Sequence, residues 1–401
     1  MNARLRIQIL NRCFPPEVGA TGKIAKDLAY ALAKRHDVTL IAGRPFSETS
    51  QRHPYYFTQK EHQGDLTTER VGSTAFHHKQ MAGRLANYLT YLVFALFRVL
   101  TCRPKPDVLI AMTDPPLLCV VGALAKTVRG CRFIYDIRDL HPDMALAAGI
   151  VKPGVIASIW EWLHRWALRK ADLIVVLGED MRNRIVEKGL DINRVVVVRD
   201  GAERFESFPS TDDQAVSEIR GGFPFVVVHA GNLGFAGAWE TILEAARLLR
   251  GEEIQFVFVG NGSSKARLQC LAHDLPHVSF MPFLPEEQIP SVYSAGDLYV
   301  VTIKRGLEGL VVPSKLYPIL MAGRPVLAIV PSGSDAAKIV REHGCGLVAN
   351  PSDAHAVAQA VLYARNHPDK VREMAQNAKV LSAEFDRQCF AELFVRIVES
   401  V

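Results

Sequence analysis

Short apolar runs alternate with longer amphipathic ones along the chain. Runs at 5–10 (LRIQIL), 37–43 (DVTLIAG), 107–112 (DVLIAM), 132–137 (RFIYDI), 172–177 (DLIVVL) and 194–199 (RVVVVR) are short and rich in β-branched residues, and they read as strands. Between them, 20–35, 116–128, 155–170 and 179–189 carry apolar residues at helical spacing. Such alternation predicts a parallel sheet covered by helices on both faces. It breaks at 200–222, a stretch with turn formers and no strong apolar period, which reads as a linker. Strands are expected again at 223–231, 254–260, 277–283, 297–303 and 325–330. The fold class is therefore α/β, with two doubly wound, Rossmann-like domains at 1–199 and 223–384. A helix at 385–401 is expected to dock back across the first domain. Two such domains would face each other across a cleft, with ligands at the carboxyl ends of the strands.

Two segments depart from the alternation. Residues 44–80 hold many polar residues, four histidines and no clear period, and read as a long loop. Residues 85–97 (LANYLTYLVFALF) form an uncharged run between Arg84 and Arg98. That run is too short for a membrane span, which leaves a core helix or a helix touching a membrane surface through 81–100.

The chain has 401 residues, 49% hydrophobic and 22% charged, a globular composition long enough for two domains. Its formal net charge of +5 suits an anionic ligand or membrane surface. The charges are scattered, which argues against a dedicated nucleic-acid binder. Seven cysteines, widely spaced and without a C-x-x-C pair, argue against a disulfide framework or a zinc site and fit a reducing cytoplasm. The opening MNARLRIQIL is interrupted by Arg6 and Gln8, so it reads as the first strand rather than as a signal peptide.

Three stretches of the second half carry candidate chemistry. In HAGNLGFAGAW, Gly231, Gly234 and Gly237 follow a strand and lead into a helix from about 238. They let the backbone approach a ligand, and free amides at a helix start favour phosphate; a tight strand-to-helix turn is the alternative. In FVGNGSSK, Gly260, Asn261 and Gly262 form a second such turn, with room for a flat base or sugar, and Ser263 could cap the next helix. In 302–329, the strand delivers Lys304 and Arg305, a loop carries Glu308 and Gly309, and Pro313 suits a first helical turn. Ser314 and Lys315 follow, so that hydroxyl, amides and ammonium would converge on one anion. A lysine inside the greasy run VPSKLYPILMAGRPV is costly to bury unless something negative pairs with it, and Glu308 is the only acid near it in sequence. A bound anion is the expected partner of Lys315, a snorkelling surface lysine the alternative.

Taken together, the whole chain resembles glycosyltransferase family 4, with the GT-B fold. The resemblance rests on FPPEVGATGKIAKDLAYALAKRHDVTLIAG, on YDIRDLHPD, on GNLG and VGNG, and on the PSK…AGRPV block. It is nearest the branch that builds bacterial surface polysaccharides and lipid-linked glycans. The resemblance implies that the second domain binds a nucleotide diphospho-sugar as co-substrate, UDP-linked, and the first a glycan, lipid-linked or other hydroxyl acceptor. By position, Gly19 approaches the donor, Gly231, Asn232 and Gly234 line the diphosphate, and Gly260 to Gly262 lie near the base. Glu308 and Gly309 match the half of the family motif that meets the donor sugar. Pro318 stands where the family has a ribose-binding glutamate, and the usual arginine–lysine pair after the glycine loop is missing. Lys315 is the replacement, with Lys304, Arg305 and Arg199 in reserve.

The same resemblance makes Asp139 and His141 candidates for sugar hydroxyls, His141 for the transferred sugar itself. Asp139 as a cap is the alternative, and a D-x-H-x-D metal site is disfavoured because nothing else completes a ligand set. The expected reaction is a retaining transfer without metal or resident cofactor, by a cytoplasmic enzyme able to associate with the cytoplasmic face of a membrane. A UDP-sugar 2-epimerase of the same fold and a non-catalytic sugar-nucleotide-binding partner of a transferase complex are the competing readings. A nicotinamide dehydrogenase is disfavoured by the lack of G-x-G-x-x-G with a following acidic strand end.

Overall fold

A computed structural model describes residues 4–17, 20–45, 57–76, 81–210 and 213–401. The chain divides into two compact units, one of Met1–Leu177, Met181–Val198 and Ala391–Val401, the other of Gly178–Asp180 and Arg199–Phe390.

The first unit is built on eight strands, β1 (Arg6–Leu10), β2 (Asp37–Ala42), β3 (Thr58–Gln63), β4 (Leu66–Val71), β5 (Val108–Ala111), β6 (Arg132–Ile137), β7 (Leu173–Val176) and β8 (Val195–Val197). They lie in the order β3-β4-β2-β1-β5-β6-β7-β8, parallel except for the β3–β4 pair. β5, buried at every position, is the continuous apolar run that a strand covered on both faces requires.

The second unit holds β9 (Phe225–Ala230), β10 (Ile254–Val259), β11 (Val278–Met281), β12 (Leu298–Thr302), β13 (Val326–Ile329) and β14 (Gly346–Ala349). Their order is β11-β10-β9-β12-β13-β14, and every pairing is parallel. Both sheets match the doubly wound expectation, each with strand order reversing beside its first strand.

Two expectations are corrected. The supposed loop at 44–80 contains the antiparallel hairpin β3–β4, turned through Gly64 and Asp65 with Gly64 at φ +61°. β3 is an edge strand with almost all of its side chains in water, so it carries no apolar alternation to find. Of the four histidines in that stretch, His53, His77 and His78 lie outside the described residues. The supposed linker at 200–222 belongs to the second unit and contains the helix Gln214–Arg220. Asp213 caps that helix by accepting from Ala215 N at 2.9 Å, and Val216 and Ile219 are buried. Two buried apolar residues in seven are too few to show a period.

The apolar stretch at 85–97 is the middle of a helix, Met81–Thr101. Its neighbour Arg98 reaches the buried Glu69 of β4, with Nη2 at 2.8 Å from Oε1. Among the described residues no helix is long and apolar enough to cross a membrane. The C-terminal helix runs Arg387–Ser400, and within the first unit Glu399 Oε1 lies 3.2 Å from His36 Nε2.

Candidate functional site

The carboxyl ends of β10, β9 and β12 lie side by side, and two glycine-bearing turns meet there. Gly231 N donates to Val259 O at 2.8 Å, Leu233 N to Asn261 O at 2.8 Å, and Ser264 N to Leu233 O at 2.9 Å. A Cβ on Gly260 would stand 1.9 Å from Gly231 O, and one on Gly262 would stand 2.4 Å from the Leu233 carbonyl. The room expected there for a base or sugar is therefore filled by the neighbouring turn, and both glycines are required by backbone packing. Gly260→Ala is expected to cost about 1–3 kcal/mol or more of stability, read as a lowered urea midpoint. A wild-type midpoint would show that the turns are not held so closely.

Asn232 is exposed, with its amide beside Gly234 and Gly262. Gly237 makes room for the Trp239 indole, whose Nε1 donates to Gly234 O at 2.6 Å. Ser263 does not cap the next helix; Ser264 holds the N-cap position and its hydroxyl donates to Gly234 O at 3.2 Å. Lys265 stitches the second turn together, with Nζ on Gly260 O at 2.7 Å, Met281 O at 2.8 Å and Asn261 Oδ1 at 3.1 Å. Its neighbours in the chain carry no hint of that role.

Lys315 differs from its expectation in two respects. The helix begins at Leu316, so Pro313, Ser314 and Lys315 form a turn ahead of it, and Lys315 is exposed rather than buried. Its stem nevertheless lies across Gly231, where a Cβ would come within 2.7 Å of Lys315 Cε. Protein atoms crowd its ammonium and strip part of its hydration, which lowers its pKa, and the like charge of Arg387 lowers it further. Among the described residues no carboxylate pairs with it. Beneath, in β9, His229 has one ring nitrogen 3.2 Å from Val300 O and the other unpartnered, and burial pushes its pKa to about 4.

The rest of the predicted set is spread around this point. Lys304 N donates to Ala236 O at 2.7 Å, tying the end of β12 to the first glycine turn. Burial and then Arg267 lower the Lys304 pKa. Arg305 and Ser314 are exposed. Glu308 is half-buried and its Oε2 accepts from Gly306 N at 2.7 Å, while Gly309 takes φ +73°, open to glycine at little cost. Arg199 is no reserve cation: both its Nε and Nη2 lie 2.8 Å from the Asp335 carboxylate.

In the first unit, β6 delivers Asp139 and His141. Asp139 N reaches Thr113 Oγ1 at 3.4 Å. Its side chain does not cap Asp143–Ala147, whose N-cap position is Pro142 with no side-chain bond. His141 is buried, stacked on Trp160 with ring centroids 5.6 Å apart. Desolvation lowers its pKa to about 4, against the smaller opposing pull of Asp143, so the ring is neutral at pH 7. Among the described residues no three histidine, cysteine or acidic side chains cluster as a metal site. Gly19 lies outside the described residues.

A constellation that pattern reading missed stands at the adjacent carboxyl ends of β1 and β5. The buried Arg12 guanidinium lies 3.2 Å from Glu17 and 3.4 Å from Asp114, with the Tyr88 ring 5.5 Å away, and Asp114 also accepts from Cys13 N at 3.0 Å. The one signal available in sequence was an arginine and an acid flanking the strand end in NRCFPPE.

Comparison with known proteins agrees with this architecture. Residues 19–201 match the glycosyl transferase 4-like domain, and residues 211–381 match the glycosyl transferases group 1 domain. The chain is 28% identical over 334 residues to WcaI of Escherichia coli K12, described as a colanic acid biosynthesis glycosyl transferase, covering 80% of this chain and 82% of that one. It is 30% identical over 275 residues to WbjE of Pseudomonas aeruginosa, described as a glycosyltransferase, covering 66% and 68%. Among solved structures, Anabaena HepE in complex with UDP-glucose superposes with a TM-score of 0.70 at 17% identity, over 99% of this chain and all of that one. Fold and glycine turns define a GT-B enzyme that transfers glycosyl groups. The chain belongs to glycosyltransferase family 4.

Proposed function

We propose that the protein is a retaining, metal-independent glycosyltransferase that moves a sugar from a UDP-linked donor to a hydroxyl of a lipid-linked or surface-polysaccharide acceptor. The observation that carries this reading is Lys315, an ammonium with no carboxylate partner among the described residues, its stem laid over Gly231 at the end of β9. The UDP-glucose in HepE and the polysaccharide role ascribed to WcaI support the donor and acceptor class.

Breaking the sugar–phosphate bond leaves a nucleoside diphosphate, and a fixed ammonium beside its phosphates stabilises that charge more as it develops. The backbone at Gly231 to Gly234 would line the diphosphate with Asn232, while Gly260 to Gly262 with Asn261 position that turn near the base. Glu308 and the backbone at Gly309 would take hydroxyls of the departing sugar, with Lys304, Arg305, Pro313 and Ser314 at the rim. Asp139 and the neutral His141 would hydrogen-bond sugar hydroxyls in the same way. The departing phosphate takes the acceptor's proton on the face it leaves, which retains the anomeric configuration. The exposed side of Met81–Thr101, which bears Leu85, Leu89, Val93 and Phe97, would rest on the membrane that carries a lipid-linked acceptor.

The test is incubation with a panel of radiolabelled UDP-sugars and a membrane extract, with and without EDTA. Label is expected in lipid or polymer at the same rate in both, with the donor's anomeric configuration by NMR. Inversion would refute the retaining mechanism, loss with EDTA the metal independence, and a changed free sugar nucleotide would transfer the protein to the epimerases.

A further inference from the structure

Three helices of the first unit run side by side. Leu118–Arg129 packs on β5 and β6 and touches Met81–Thr101 and Val155–Lys170, which do not pack on each other to any extent. Each spends one face on the core, with Tyr91, Ala95 and Val99 of one flanking helix and Ala157, Ala167 and Leu168 of the other buried. A surface helix ordinarily turns a polar face to water. These two do not. Leu85, Leu89, Val93 and Phe97 recur every fourth residue along Met81–Thr101, and Val155, Ile156, Ile159 and Trp162 follow helical spacing on Val155–Lys170; every one is more than half exposed. Val128, on the helix between, is exposed too. Exposed apolar side chains recurring along a helix face in this way mark an interaction site.

Charge decides what covers it. The three helices carry seven lysines and arginines against one carboxylate, Glu161; Arg98, Lys126 and Arg165 are paired with Glu69, Asp172 and Glu161. Lys152, Arg169 and Lys170 are exposed at the ends of the second helix, and Arg103 and Lys105 just beyond the first. Apolar side chains at the centre with cations at the rim suit a bilayer interface, where the side chains enter the acyl boundary and the cations meet anionic headgroups. A second copy of the chain would bring the same cations against themselves.

We infer that Val155–Lys170 and Val128 extend the contact of Met81–Thr101 into one docking face for an anionic lipid surface. This rests on the membrane contact proposed above and adds a second helix to it. The face would hold the first unit against the bilayer along two lines rather than one, so that the unit could not roll about a single helix axis. These side chains belong to the first unit, and Lys315 and the glycine turns to the second, so the inference makes no claim on donor chemistry.

The experiment sediments the full chain with vesicles of phosphatidylcholine alone or mixed with phosphatidylglycerol, and follows tryptophan emission. Binding is expected on the mixed vesicles, weakening with salt. The doubly substituted Ile159→Glu/Trp162→Glu and Leu89→Glu/Val93→Glu proteins should each bind at least about tenfold more weakly. Because all four positions are exposed, folding should survive, checked by the urea midpoint. A blue shift of emission on vesicles should be lost in Trp162→Phe. If only the Leu89/Val93 protein weakens, or Trp162→Phe keeps the shift, the second helix is overturned while membrane contact stands. If the unsubstituted protein binds no vesicles, membrane contact itself falls, and UDP-sugar turnover still decides the transferase reading separately. A dimer that Ile159→Glu/Trp162→Glu dissociates in light scattering would assign the face to a second copy and overturn the inference.

Discussion

Lys315→Met is expected to lower kcat/KM for sugar transfer by about 10²–10³-fold while leaving the unfolding free energy from urea melts within about 0.5 kcal/mol of the unsubstituted protein. Methionine keeps an unbranched stem over Gly231 and removes the charge, so a loss of turnover isolates the ammonium. The size follows from what a fixed cation does beside a leaving diphosphate. It contributes little to a folded protein in which it is exposed, and most when negative charge builds on the phosphates. Lys315→Arg should recover part of the rate, since charge survives but the guanidinium is broader than the space over Gly231. UDP binding by calorimetry should weaken in parallel with turnover. Unchanged kinetics in Lys315→Met would remove this residue from the site and, with it, the basis for assigning the diphosphate to the end of β9.

The second large effect is on stability against pH. His141 and His164 are buried in the first unit, with His164 fully enclosed and its ring against Tyr135. Desolvation pushes His141 down to about 4 and His164 to about 3, the latter helped by the like charge of Lys188. Both are therefore neutral in the folded chain at pH values where the unfolded chain protonates them. Their contribution to stability is complete above the unfolded value of about 6.5 and is lost as pH falls towards the folded values. Each histidine adds a slope of about 1.4 kcal/mol per pH unit over that window. Urea melts between about pH 7 and 5 should show the loss before the carboxylates with ordinary pKa values begin to titrate. His164→Leu should remove about half of the first unit's slope, at some cost from imperfect packing. A flat profile over that range would show that the rings are hydrated and titrate normally.

The two predictions draw on different parts of what the chain reveals of itself. Lys315 was legible because PSK interrupts a greasy run, and a charge there needs a reason. Its exposure was not legible, since the same letters serve a buried lysine and one whose stem crosses a glycine. The glycines at 260 and 262 were found as glycines, but their purpose was misread: an absent Cβ looks the same whether a ligand or a neighbouring carbonyl takes its place. His164 and the Arg12–Glu17–Asp114 cluster went unnoticed because their members lie far apart along the chain or sit singly within ordinary patterns.

Periodicity alone located eleven of the fourteen strands among the described residues, since central strands of parallel sheets are buried on both faces and must be almost wholly apolar. Motif order alone carried the family. What folding added was everything settled by distance between remote residues. The polar edge strand β3 forms because β4 offers it backbone partners. Gly346 is glycine because a Cβ would lie 2.0 Å from Val326 O. Arg199 is taken by an aspartate 136 residues away. Local order of residues governs which surfaces are greasy; only the packed chain shows which polar groups meet, because hydrogen bonds and ion pairs act over a few ångströms of space irrespective of separation in sequence.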